Sequence, residues 1–137
     1  MDPKPSADAP QDREGWVLPE ALEELVRGGN ADLIPEIFSE FRTDVGSRLA
    51  RLREAVARND GATLRDEVHS IKGSAAQMGA TDLAVACLQL ESEGPAREWR
   101  LTCSDIDNLQ ALFDQVLRAM ARHPLAGTGT SGAAERT

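Results

Sequence analysis

The chain contains two histidines, and one of them has surroundings suited to chemistry. His69 lies within residues 64–78, where Leu64, Val68, Ile71, Ala75 and Met78 recur at three- and four-residue steps and mark the buried stripe of a helix. At about 100° per residue, His69 falls about 140° from the centre of that stripe, so its imidazole points to solvent. Its neighbours on the outward face, Ala62, Asp66, Gly73 and Ala76, all have short side chains. A glycine inside a helix costs about 1 kcal/mol relative to alanine. Gly73 gives no local return for that cost except the removal of bulk beside His69, which suits a ring that must enter another protein's cleft. Lys72 stands one turn on, at the flank. It is one of only two lysines against thirteen arginines, the other being Lys4 near the N-terminus. A compact ammonium beside an imidazole neutralises an incoming phosphoryl group without clamping it. Each feature alone is ordinary, since surface histidines are common and a helix glycine can serve packing. The coincidence is what points to nucleophilic chemistry. A neutral imidazole is a competent nucleophile near neutral pH, and phosphoryl transfer needs mainly alignment and charge neutralisation.

The elements that must hold these residues are all helical. Five apolar stripes at helical spacing run along the middle of the chain, with no sustained strand alternation. A short first helix extends from about Pro19 to Arg27, using Leu18, Leu22, Leu25 and Val26, and Gly28-Gly29 ends it. Asn30 or Asp32 is positioned to cap the second helix, and Pro35 is tolerated only near its start. Its stripe is Ile34, Phe38, Phe41, Val45, Leu49, Leu52 and Val56, ending near Arg58. Asn59-Asp60 turns the chain and caps the third helix, which carries His69, and Gly79 breaks it. A fourth helix from about Thr81 buries Leu83, Cys87 and Leu90 and stops at Gly94-Pro95. Ser104 is placed to cap the last, whose stripe is Ile106, Leu109, Phe113, Val116 and Met120. Four long amphipathic helices with short connections predict an all-α, up-down-up-down four-helix bundle over 16–123, with the short additional N-terminal helix across one end. Trp16 and Trp99 lie outside the long stripes and read as packing over the bundle's ends.

Hairpin geometry brings one more residue toward His69. His69 is ten residues before Gly79 and Glu91 twelve after it, so in antiparallel helices they sit at nearly the same height. A Glu91 carboxylate accepting from one ring N–H would fix the imidazole and leave the other nitrogen as nucleophile. The alternatives are that Glu91 is a solvated surface residue, or that it pairs with Lys72.

Composition bounds the function classes. A chain of 137 residues with 41% hydrophobic and 28% charged residues makes one domain. Aromatic content of 4% with no tyrosine suits packed helices over a β-sandwich. The net charge of −8 argues against a general affinity for nucleic acid or anionic membrane, both of which call for a basic face. No apolar run is long enough to span a bilayer, and the N-terminus lacks the apolar core of a signal peptide. Cys87 and Cys103 have no disulfide-framework or metal spacing and read as reduced packing residues of a cytoplasmic protein. Residues 1–15, with Pro3, Pro5 and Pro10, read as a disordered lead, and 124–137 as a disordered tail.

The run His69-Ser70-Ile71-Lys72-Gly73-Ser74-Ala75-Ala76, followed by Gly79-Ala80, Leu83, Cys87 and Leu90-Glu91, closely resembles the signature of histidine-containing phosphotransfer domains. That signature reads roughly H-x-x-K-G-[SA]-[SA], then G-A, an apolar residue, and L-E. The flanking stripes fit the family's bundle, so the resemblance spans 17–122. It implies a phosphorelay carrier in which His69 is phosphorylated and Lys72 and Gly73 support it. The implied partners are receiver domains of response regulators or hybrid kinases, which supply the phospho-accepting aspartate and the Mg²⁺. No cofactor is implied for this chain, and no Gly-rich phosphate loop or kinase motif stands in it. It reads as a free-standing carrier that works as a monomer.

Other readings stay open at this level. A structural or adaptor bundle could bind receiver domains or kinases with His69 inert. The phosphotransfer domain of a chemotaxis-type kinase shares the motif but is joined to kinase domains. A sensor-kinase dimerisation bundle places Glu and an Arg-Thr-Pro-type run after its histidine, where this chain has Ser70-Ile71-Lys72. A di-metal carboxylate bundle needs inward Glu-x-x-His pairs, whereas His69 faces outward and His123 closes the last helix.

Overall fold

A computed structural model describes residues 16–126. The lead at 1–15 and the tail from 127 onward lie outside the described residues. Among those described, every regular element is helical: α1 Glu20–Arg27, α2 Ile34–Arg58, α3 Gly61–Gln77, α4 Thr81–Glu93 and α5 Cys103–Arg122, with 3₁₀ turns at Ala31–Leu33 and Pro95–Arg97.

The stripes close on one another. Each long helix packs on its neighbour in sequence, and α5 returns against α2, so α2 to α5 form a ring around one core. Cross-helix pairs give the directions. Along α2, Asp44 meets Ser74 and Arg51 meets Glu67, so α2 and α3 run opposite ways. Phe41 packs on Phe113 and Arg53 reaches Asp107, so α2 and α5 do too. The result is an all-helical bundle, the class that the spacing predicts, with α2 antiparallel to both α3 and α5. The stripe residues of the four long helices are buried except Val56, and Ala55, Ala86 and Ala119 join them, whereas Leu22, Leu25 and Val26 of α1 are only half-buried against the core. Val56 is half-buried because Ala55 takes the inward position at that turn.

The helix ends depart from expectation in two places. Neither Asn30 nor Asp32 caps α2: the 3₁₀ turn runs straight into it, Leu33 occupies the cap position without a side-chain bond, and Pro35 lies in the first turn. Ser104 does not cap α5. Thr102 does, accepting from the Asp105 N–H at 3.1 Å while the Asp105 carboxylate accepts from the Thr102 N–H at 2.8 Å. That reciprocal box needs an acid three residues after the cap. Asp60 caps α3 as expected, accepting from the Thr63 N–H at 3.1 Å, after Asn59 turns the chain with φ of 55°.

The two tryptophans close opposite ends. Trp16 donates from Nε1 to the Met78 carbonyl at 2.7 Å and packs edge-on against Phe38 and His123. Trp99 lies over Gly94, where a Cβ would come within 2.4 Å of its ring. Residues 124–126 add a further helical turn with Leu125 against the core, so the described order continues past Pro124. Cys87 is buried, but Cys103 opens α5 on the surface and is not a packing residue.

Candidate functional site

The middle of α3 and the end of α4 build the site. Val68, Ile71 and Ala75 are buried, and anchoring them fixes the rotation of α3 that turns His69 outward. The His69 side chain is 69% exposed. Leu90 does the same for α4, and Glu91, the next residue, lies at the seam between the helices with its side chain 20% exposed.

Glu91 bridges two groups. Its Oε2 lies 2.7 Å from His69 Nδ1, and its Oε1 accepts from Lys72 Nζ at 2.5 Å. The orienting contact and the Lys72 pair, posed as alternatives by the sequence, therefore hold together. Burial pushes the Glu91 carboxyl up, but hydrogen bonds from Lys72 and His69, with their charges, outweigh it and hold the group below its usual range. An ionised carboxylate only accepts, so Nδ1 must carry the proton in this bond. Nε2 is then the ring nitrogen that keeps its lone pair.

Gly73 sits one turn after His69. Side chains on a helix lean toward its N-terminus, so a side chain at 73 would lie over the His69 ring. A Cβ there would meet no atom within 4 Å, so nothing in the fold itself requires the glycine. Cys87 lies under the site. Burial raises its thiol to about 12, with the Glu91 charge adding to the rise and Lys72 opposing it, so it stays protonated and unreactive.

The other seam of α3 is different in kind. Glu67 accepts from Arg48 and Arg51, each at 2.9 Å, and Arg48 also pairs with Asp44. On the helical wheel Glu67 is about 160° from His69, so this cluster ties α2 to α3 away from the ring. One cation beside the site is not singled out by the sequence patterns above. Arg65 lies one turn before His69, and its i−4 spacing is the signal for it. Among the described residues, no three His, Cys, Asp or Glu side chains gather in a way that could hold a metal ion, and no helix is long and apolar enough to cross a membrane.

An exposed imidazole on a helical bundle, held by a carboxylate that an ammonium also grips, suits reversible carriage of a small anionic group. A family model for the Hpt domain matches residues 36–119, more than half of the 137-residue chain, and the chain belongs to that family. The Hpt domain stands for histidine phosphotransfer in phosphorelays, with receiver domains and kinases as the family's partners. No curated protein and no solved structure matches the chain.

Proposed function

We propose that this protein is a phosphorelay intermediate that accepts a phosphoryl group on His69 Nε2 from the aspartyl phosphate of one receiver domain and passes it to another. The observation that carries the proposal is the 2.7 Å contact of Nδ1 with Glu91 on a ring whose side chain is 69% exposed. In the forward step the Nε2 lone pair forms the N–P bond as the P–O bond to the receiver aspartate breaks, and the aspartate leaves as a carboxylate. The proton on Nδ1 stays hydrogen-bonded to Glu91, which stabilises the positive charge that develops on the ring. Lys72 screens the phosphoryl charge, and Gly73 keeps the approach to Nε2 clear. The receiver supplies the acceptor aspartate and the Mg²⁺, so this chain needs no cofactor and no kinase activity of its own. It acts as a cytoplasmic monomer, with Cys87 and Cys103 reduced.

Incubation with a panel of phosphorylated receiver domains tests this. At least one should label the chain, the label should be acid-labile, and His69→Gln should abolish it. Full labelling of His69→Gln would defeat the assignment.

A further inference from the structure

Resting charge at the site is balanced without a phosphoryl group. Lys72 is committed to Glu91 at 2.5 Å, and the same carboxylate holds His69 Nδ1 at 2.7 Å. A phosphoryl group on Nε2 brings close to two negative charges at neutral pH. It would find the one lysine of the described chain already shared with a carboxylate.

Helix geometry indicates where that charge lies. The His69 side chain leans toward the N-terminus of α3, over the turn that carries Arg65 and Asp66. Arg65 is four residues before His69 on the same face, the spacing at which helical side chains meet. Its guanidinium holds only an exposed partner: Nε donates to Asp66 Oδ1 at 3.3 Å, with the two side chains 60% and 69% exposed. Adjacent helical residues diverge by about 100°, so this pair forms only by bending the long arginine sideways. A pair of that kind contributes little and is easily exchanged. Other arginines of the bundle are more firmly held: Arg48 and Arg51 on Glu67 at the other seam of α3, each at 2.9 Å, and Arg97 on Asp105 at 2.7 Å.

We propose that Arg65 is the phosphoryl-binding cation of the phosphorylated state, parked on Asp66 at rest and transferred to the phosphoryl oxygens when His69 is loaded. A guanidinium matches phosphate oxygens in a bidentate fork, which the Lys72 ammonium cannot do. Arg65 therefore favours the loaded carrier and shifts the equilibrium with a phosphorylated receiver toward His69. Asp66 competes for the same cation and limits that shift.

The inference rests on the carrier reading above, and the test separates the two. Wild type, Arg65→Ala and Arg65→Lys are loaded with phosphoramidate, a small donor that needs no partner: its P–N bond breaks, ammonia leaves, and the phosphoryl goes to the ring nitrogen. The ³¹P signal of the loaded protein is then followed against pH. A neighbouring cation favours the dianion, so Arg65→Ala should raise the phosphoryl titration midpoint by about half a pH unit, and about 1 M salt should shrink the difference. Arg65→Lys should fall nearer wild type. With a phosphorylated receiver, Arg65→Ala should lower the fraction of label held on the carrier several-fold. Equal midpoints for wild type and Arg65→Ala, with His69 loaded in both, would overturn the role of Arg65 and leave the carrier reading standing. Failure of wild type to load on His69 would overturn both.

Discussion

In the proposed carrier, His69 and Glu91 divide the work of one nucleophile: the ring would supply the attacking nitrogen, and the carboxylate 2.7 Å from Nδ1 would decide which nitrogen that is. Because Glu91 is ionised and also holds Lys72, removing it leaves the ring free to rotate and the ammonium free to wander. Glu91→Ala should therefore slow receiver-to-His69 transfer several-fold while thermal unfolding moves little, since the residue lies at the seam and not in the core. Rapid-quench transfer kinetics beside a melting curve measure both, and an unaltered rate would reduce Glu91 to a structural bridge. At this scale the sequence was informative where spacing carries the signal. The exposure of His69 and the clearance at Gly73 follow from the 3.6-residue repeat, and the height of Glu91 from counting along the hairpin. That Glu91 bonds both neighbours was not legible, because two side-chain rotamers decide it. The cation at Arg65 was hidden in an arginine-rich background of thirteen.

At the scale of elements, α3 is a helix whose sequence gives up stability at one position. Gly73 weakens it, yet a Cβ at that position would meet no atom within 4 Å. Gly73→Ala should stabilise the fold by up to about 1 kcal/mol. Gly73→Gln should fold as well but slow transfer, because its side chain leans over His69. Denaturant unfolding and transfer rates on the two variants check this, and a Gln variant as fast as wild type would show that receiver domains do not approach across that turn. The interiors of the long helices are legible in their stripes because burial of an apolar face is what forms them. Helix ends are less legible. Ser104 stands nearer the first apolar residue, Ile106, but Thr102 has the acid at the third position that a reciprocal cap requires. The entry to α2 has no side-chain cap at all, so no polar residue could mark it.

Across the whole molecule, the site and the fold share a dependence on ionised carboxylates. Asp105 is pushed up by burial but held below its usual range by the Thr102 N–H, by Arg97 and by the Thr102 hydroxyl. Glu91 is depressed by its own partners, and Asp60 by hydrogen bonds from the Thr63 hydroxyl and N–H. A carboxyl depressed on folding contributes stability above its unfolded value and loses it as pH falls through the folded one. Thermal stability should therefore be flat from about pH 7 to about pH 5 and fall steeply below about pH 4. The Asp105→Asn, Asp60→Asn double variant should be less stable at neutral pH and show a shallower fall. Parallel curves for wild type and variant would show that these two groups do not set the acid limit. Two tryptophans close opposite ends of the ring of helices, with Trp16 tied to the Met78 carbonyl just beyond the end of α3.

If one nitrogen of one histidine carries the phosphoryl group, a ¹⁵N-histidine-labelled chain, loaded by a phosphorylated receiver, reveals it through ³¹P–¹⁵N coupling. A one-bond coupling is expected at Nε2 of His69, with Nδ1 still protonated and none at His123. Coupling at Nδ1 of His69, or at His123, would contradict that assignment.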